Sequence, residues 1–325
     1  MNIIMFLSRC SIKKVSAISL SLAGLLSVSG CNMTSNTTDR VAGVDPASDP
    51  NVQPYQGTAV SGYKLTWSDE FNGTEVDENR WHYRVDCKHW SQQKPENNKV
   101  YGGLYRTILK KETVSCPNNR WLQPGQSKGD KPAGVVQYTA GGIISNDEFR
   151  YGYYEARLKT PVGAGWHSSF WMMRNLTKGQ DASSLAQNPL TRKDVTSQIE
   201  LDPFENDSID PKHFQIDAHQ WKPEPGTEDP GRTQNKVGTK QVYFKDDTLL
   251  TDFHVIGMEF TETTLRYFFD GKLMKETSFA ADRYKHNDVS IWLTVIGTYL
   301  GKTQAIDDSR LPEQFQVDYV RFFEK

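Results

Sequence analysis

Between residues 199 and 205 the chain reads Ile199-Glu200-Leu201-Asp202-Pro203-Phe204-Glu205. Carboxylates alternate there with apolar side chains. In a β-strand, residues two apart share a face. Glu200 and Asp202 therefore point one way, and Ile199, Leu201 and Pro203 the other. Glu205 is out of phase by one residue. A single extra residue between Asp202 and Glu205 would return it to the face of Glu200. Pro203 suits such an irregularity, because proline lacks the N–H that a ladder needs and is tolerated mainly at bulges and edges. Three carboxyls on one face of a strand that buries its other face are costly unless they serve chemistry. Retaining hydrolysis of a glycosidic bond needs two carboxyl groups ~5–5.5 Å apart, one as nucleophile and one as acid/base. A solvated strand face and a metal site are the other readings of the same stretch.

The rest of the chain favours a secreted β-protein. The formal net charge of -2 provides no global field for nucleic acid. Aromatic residues reach 11%, which suits both a large core and stacking against flat ligands. Arg9, Lys13 and Lys14 precede an apolar run from Val15 to Val28 that is short for a membrane span. It ends Val28-Ser29-Gly30-Cys31, which resembles a bacterial lipobox. The resemblance implies a signal peptide over residues 1–31, lipidation of Cys31 and an outer-membrane lipoprotein, with the membrane reached only through that anchor. Residues 32–60 are rich in Ser, Thr, Asp, Asn and Pro and read as a flexible linker. In an oxidising compartment, the remaining Cys87 and Cys116 are the natural disulfide pair, with two free thiols as the alternative.

From residue 61 to 325 the pattern is that of strands. Tyr63–Trp67, Val135–Ile144, Tyr151–Thr160, Ser168–Met173, Gln198–Phe204, His213–His219, Phe253–Phe260, Thr264–Phe269, Ser290–Ile296 and Phe315–Phe323 are apolar, alternating or rich in β-formers. Gly141-Gly142 marks a bend inside its run, and Asp270-Gly271 reads as a hairpin turn. One helical turn is suggested at Phe279–Tyr284. Three polar stretches, Cys87–Lys131, Asn175–Asp194 and Pro223–Gly238, read as long loops that could wall a cleft. This predicts an all-β sandwich of jelly-roll type, two packed antiparallel sheets with a cleft on the concave face.

In that order along the chain, a set of segments resembles glycoside hydrolase family 16, the laminarinase, agarase and carrageenase group. Glu200, Asp202 and Glu205 match its bulged ExDxxE motif. Trp67-Ser68-Asp69-Glu70-Phe71-Asn72-Gly73 is similar to its opening strand, and Tyr151-Gly152-Tyr153-Tyr154-Glu155-Ala156-Arg157-Leu158-Lys159 to its next signature. Ser169-Phe170-Trp171-Met172-Met173, Phe268-Phe269-Asp270-Gly271-Lys272 and Val317-Asp318-Tyr319-Val320-Arg321-Phe322-Phe323 follow in register with the family. The resemblance implies Glu200 as nucleophile, Glu205 as acid/base and Asp202 as a helper that tunes the pair. It implies a polysaccharide as partner, a single-copy protein and no cofactor for catalysis. It also points to Glu70 and Asp318 as acids near a structural calcium site.

For sugar contacts the sequence offers Trp166, His167, Trp171, His219, Trp221 and Trp292, since pyranose faces stack on indole and imidazole reaches hydroxyls. Tyr299 lies near the same late strand. His219 is expected beside the acids, hydrogen-bonded to Glu205 or to a sugar. His167-Ser168 replace the family's Trp-Pro, and Leu293-Thr294-Val295-Ile296-Gly297-Thr298 lacks its Asn and Gly-Gly pair. These departures leave the carboxylates in place and point away from plain laminarin specificity. The leading expectation is a retaining endo-β-glycosidase acting on a β-1,3-type glucan. The alternative substrate is a marine β-galactan, with Lys88, His89, Lys94, Lys99, Arg106 and His167 as partners for sulfate. A carbohydrate-binding lipoprotein without turnover and a transglycosylase are the competing classes.

Overall fold

The structure is a computed structural model that describes residues 60–119, 121–123, 125–131, 133–163, 165–173, 198–208, 210–221, 235–236, 240–243, 250–279, 281, 288–297 and 306–325. The signal-like segment, Cys31, the linker to residue 59, the stretch 175–194, most of 223–238, most of 279–284 and Tyr299 lie outside the described residues.

The strands are β1 (Lys64–Asp69), β2 (Trp81–Tyr83), β3 (Cys87–Lys88), β4 (Ser91–Gln93), β5 (Asn98–Tyr101), β6 (Leu104–Ser115), β7 (Val135–Ala140), β8 (Gly142–Ser145), β9 (Gly152–Lys159) and β10 (Trp166–Met173). They continue with β11 (Gln198–Asp207), β12 (His213–Trp221), β13 (Asn235–Lys236), β14 (Lys240–Tyr243), β15 (His254–Phe260), β16 (Thr264–Phe269), β17 (Lys272–Ser278), β18 (Ser290–Gly297) and β19 (Glu313–Glu324). One sheet runs β17-β16-β15-β9-β19-β6-β7-β4-β3, with β1 joined to β19 and β5 to β6. The other runs β13-β12-β11-β10-β18-β8-β2, with β14 joined to β12. Pairing is antiparallel except between β4 and β7.

Period-two alternation drives the two sheets together. From the second sheet, Phe170 and Met172 of β10, Leu201 and Phe204 of β11, Phe214 and Ile216 of β12 and Leu293 and Val295 of β18 enter one core. From the first, Tyr154 and Ala156 of β9, Met258 of β15 and Val320 and Phe322 of β19 meet them. Burying each large apolar side chain contributes ~1.5–3 kcal/mol, so this interface supplies most of the driving force.

Gly141 lies between β7 and β8, which belong to different sheets, so the expected bend is a sheet crossover. A Cβ at Gly141 would sit 2.6 Å from the Asn98 side chain, which leaves room only for glycine. Asp270 and Gly271 both have positive φ, 44° and 76°, as a tight β16–β17 hairpin requires.

Of the stretch expected as a loop over Cys87–Lys131, the part from Cys87 to Ser115 is instead largely sheet. It holds β3, β4, β5 and the 12-residue β6, whose first half alternates between buried and partly buried positions. The polar run Lys110-Lys111-Glu112-Thr113 in its second half, where no position is fully buried, conceals the strand from an apolar count. Cys87 and Cys116 are bonded, with Cα atoms 6.0 Å apart, and tie β3 to the end of β6. The bridge closes a segment with a sequence separation of 29. On the chain-entropy account such a closure stabilises by roughly 3–4 kcal/mol. The double substitution Cys87→Ser, Cys116→Ser is therefore expected to lower the unfolding free energy by about 3 kcal/mol in chemical denaturation. An unchanged midpoint would contradict that role for the bridge.

Candidate active site

β11 carries one extra residue relative to both of its neighbours. Against β12, Asp202 faces Asp217 and Glu205 faces Gln215, so three steps on β11 match two on β12. Against β10, Leu201 faces Met172 and Phe204 faces Phe170, again three steps against two. Before the irregularity, Ile199 and Leu201 enter the core; after it, Phe204 does. Glu200 and Asp202, then Glu205 and Asp207, are thereby left on the opposite face. Pro203 sits inside the bulge, where its missing N–H costs no ladder bond.

The same alternation brings the neighbouring strands into play. His167, Ser169 and Trp171 of β10 lie on the acid face, since Phe170 and Met172 occupy the core. His219, Asp217 and Gln215 of β12 stand opposite Glu200, Asp202 and Glu205. Thr294 and Trp292 of β18 stand opposite Ser169 and Trp171.

Asp202 is buried with Asp217 directly across from it. Burial, followed by the charges of Glu200, Glu205 and Asp217, holds its carboxyl well above the usual carboxylate range. Among the described residues its Oδ2 has no hydrogen-bond partner, and it lies 3.4 Å from His219 Nε2. A neutral carboxyl tolerates that setting where an anion would not. Asp217 is satisfied differently: its Oδ1 accepts the Ala218 N–H at 3.2 Å and its Oδ2 accepts Gln215 Nε2 at 3.2 Å.

Glu205 has the opposite balance. Burial pushes its carboxyl up, but the hydrogen bond and charge of His167, the Gln215 amide and His219 outweigh it and hold the group low. Oε1 lies 3.0 Å from His167 Nε2, and Oε2 accepts Gln215 Nε2 at 3.0 Å. His167 Nδ1 lies 2.8 Å from Asp207 Oδ1. A carboxyl group at each ring nitrogen favours an imidazolium, with both nitrogens donating. Burial opposes that charge, yet Asp207 and Glu205 prevail and raise His167 to about 10.

His219, expected to bond Glu205 or a sugar, faces Glu200 in register and lies 3.3 Å from Asp217 Oδ2 as well as beside Asp202. Trp171, from an apolar run, is only partly buried on the acid face, and its Nε1 donates to Thr294 Oγ1 at 2.9 Å. Trp166 is not a sugar platform: it is fully buried, in edge contact with Tyr138 at 5.8 Å. Consecutive strand residues face opposite ways, so His167 on the acid face forces Trp166 into the core. Trp292 is 1% exposed, beneath Trp171 at 4.5 Å and Arg84 at 5.8 Å, so it supports the face without presenting a surface. The Trp221 side chain lies outside the described residues.

Glu70 and Asp318 do not fit a calcium site. Both oxygens of Glu70 accept from Arg321, at 2.9 and 2.9 Å, and Asp318 pairs with Arg157 at 2.5 Å. Guanidinium groups already occupy the ligand positions an ion would need. Among the described residues, Glu200, Asp202 and His219 bring one donor atom each within 4.8 Å of one another.

Sequence reasoning did not single out Asp207, Gln215, Asp217 or Thr294. Alternation signalled three of them: Asp207 is two residues beyond Glu205, and Asp217 and Gln215 are two and four residues before His219. The β3–β4 turn also reaches this region. His89 stacks on Trp121 at 4.1 Å, and burial with the charges of Lys88, His167 and Arg84 pushes it down to about 3.

The family model described as "Beta-porphyranase A-D, GH16 domain" matches residues 64–325. Glucan endo-1,3-beta-glucosidase A1 of Niallia circulans is 23% identical over 290 residues, and the match covers 82% of this chain and 39% of that protein. Beta-porphyranase B of Zobellia galactanivorans is 27% identical over 269 residues, covering 78% of each. Among solved structures, the κ-carrageenase of Pseudoalteromonas carrageenovora in complex with a κ-carrageenan oligotetrasaccharide superposes with a TM-score of 0.61 at 20% identity, covering 84% of this chain and 98% of that one. The likeness in structure is one of fold: the two-sheet sandwich is shared.

The protonation of Asp202 has a measurable consequence. A carboxyl whose folded pKa is raised contributes stability below its unfolded pKa, and loses it as pH rises from about 4 through the folded value. Asp202→Asn removes this loss. The variant is expected to gain stability over the parent increasingly above about pH 4 and to match it below. Parallel thermal melts across pH check this; a gap that does not grow with pH would contradict it.

Proposed function

The chain belongs to glycoside hydrolase family 16 through its β-porphyranase-type domain, and from that premise we propose that it is a retaining endo-β-glycosidase. The bulge in β11 carries the reading, because it alone sets Glu200, Asp202 and Glu205 on one face. Glu200 attacks the anomeric carbon and forms a glycosyl-enzyme ester as the leaving oxygen takes a proton from Glu205. In the second step Glu205 accepts a proton from water, whose oxygen replaces Glu200 at the same carbon. Two inversions return the β configuration. Asp202, its carboxyl held high by burial and by the acids on either side, spares the pair a third negative charge.

For substrate, we favour a β-galactan bearing anionic groups over a neutral β-1,3-glucan. The porphyranase-type match supports this choice. So does the charge beside the acids, where the imidazolium of His167 and the Lys88 ammonium lie within electrostatic reach of Glu205 and Asp202. The glucan reading keeps the support of the Niallia circulans relative. Trp171 offers the aromatic face for stacking in either case. The lipobox-like Val28-Ser29-Gly30-Cys31 supports export with a lipid on Cys31.

Release of reducing ends from porphyran, agarose, κ-carrageenan and laminarin, run side by side, tests the substrate. The expected result is release from a galactan, with the β-anomer appearing first by proton NMR. Glu205→Gln is expected to lower kcat by ~10²–10⁴-fold, and Glu200→Gln by at least as much, with the fold retained. Binding without release from any of the four would favour a carbohydrate-binding role instead.

A further inference from the structure

We propose that His167 is a positioning residue that holds, between Asp207 and Glu205, the proton that Glu205 delivers to the leaving oxygen. The proposal rests on the reading of Glu205 as acid/base and adds the source of its proton.

The geometry presents a problem that the bulge alone does not solve. An acid/base must be protonated when substrate arrives, yet Glu205 is held low by its partners. The missing proton is on its neighbour. His167 Nε2 lies 3.0 Å from Glu205 Oε1, and His167 Nδ1 lies 2.8 Å from Asp207 Oδ1. Strand pairing fixes this chain of three, since His167 stands directly across β10–β11 from Asp207, and Glu205 lies two residues back on the same face. The ring cannot turn away without breaking a hydrogen bond at each end.

The step balances within this group. A sugar ring over Glu205 displaces water and makes the ion pair costlier, which favours its neutral form. The Nε2 proton then passes to Oε1, leaving a neutral imidazole whose Nδ1–H remains on Asp207. Glu205 gives that proton to the glycosidic oxygen as the C–O bond breaks. In the second step a water proton comes to Glu205 and returns to Nε2, restoring the starting pair.

Asp207 and Glu205 of β11 favour the charged ring, and His89 of the β3–β4 turn is pushed to the neutral form in its presence. Glu205 faces His167, the Gln215 amide and His219 of β12. On its own strand the Asp202 carboxyl, which feels the charge of Lys88, is held well above the usual carboxylate range by burial and its acid neighbours. The His167 level of about 10 means the pair keeps its single proton through the neutral and mildly alkaline range.

Two measurements test this. In the full chain with labelled imidazole, NMR titration of His167 is expected to show a charged ring at neutral pH, losing its proton several pH units above the ordinary ~6.5. The pH profile of kcat/KM, read by reducing-end release from the polysaccharide that the parent cleaves, is expected to show its alkaline limb at lower pH in His167→Gln. The limb should move down by at least about one pH unit, because Glu205 must then hold the proton alone. Asp207→Asn should move it in the same direction by less, and serves if His167→Gln does not fold. A purely structural role would lower activity at all pH values and leave the limb in place, which would overturn the proposal. So would an imidazole that titrates near 6.5 while turnover persists. Absence of turnover on every polysaccharide, with the ring still titrating high, would instead overturn Glu205 as acid/base, and this proposal with it.

Discussion

One inserted residue in β11 decides which side chains leave the core. Without it, strict alternation would send Glu205 inward with Leu201 and turn Phe204 outward. A carboxylate without a partner among apolar side chains costs several kcal/mol, and the exposed phenyl forfeits ~1.5–3 kcal/mol more. The bulge removes both costs and, by the same act, gathers the acids. It is fixed from both sides, because β10 and β12 each pair with β11 before and after it. Packing and chemistry therefore depend on one backbone irregularity rather than on separate devices.

Gathering carboxyls on one face creates repulsion that the site relieves in two ways. At Asp202 the relief is protonation, driven by burial and by the acids around it. At Glu205 and Asp207 it is a cation, His167, placed between them. The two acids of one motif are thus shifted in opposite directions a few residues apart. The difference lies in their partners: Asp202 Oδ2 lacks a hydrogen bond, whereas both Glu205 oxygens have one. Paired groups whose surroundings push their titrations apart are the usual basis of acid/base division of labour.

Much of this was legible in the sequence. The phase slip at Glu205, with a proline inside it, indicated the bulge, and the alternating runs indicated the sandwich. What was lost was lost for local reasons. β6 reads as a loop because its second half, from Lys110 to Ser115, is mostly polar and holds no fully buried position. Trp166 and His167 were both assigned to the sugar face, although neighbours on a strand cannot share one. The pairs Glu70–Arg321 and Asp318–Arg157 join residues that only the sheet brings together, one across β1–β19 and one across β19–β9, so no spacing rule could reveal them. The hydrogen bond from His167 to Glu205 was hidden likewise: each residue was visible, but their contact depends on the register of β10 against β11.

The central claim is that Glu200 and Glu205 act from one face as nucleophile and acid/base. Chemical rescue of Glu205→Ala by azide tests it most directly, using an activated aryl glycoside of the oligosaccharide that the parent cleaves. The account predicts restored turnover and a β-configured glycosyl azide, because azide would enter the cavity left by Glu205 and attack the ester on Glu200. An α-configured azide, or no rescue at all, would contradict it.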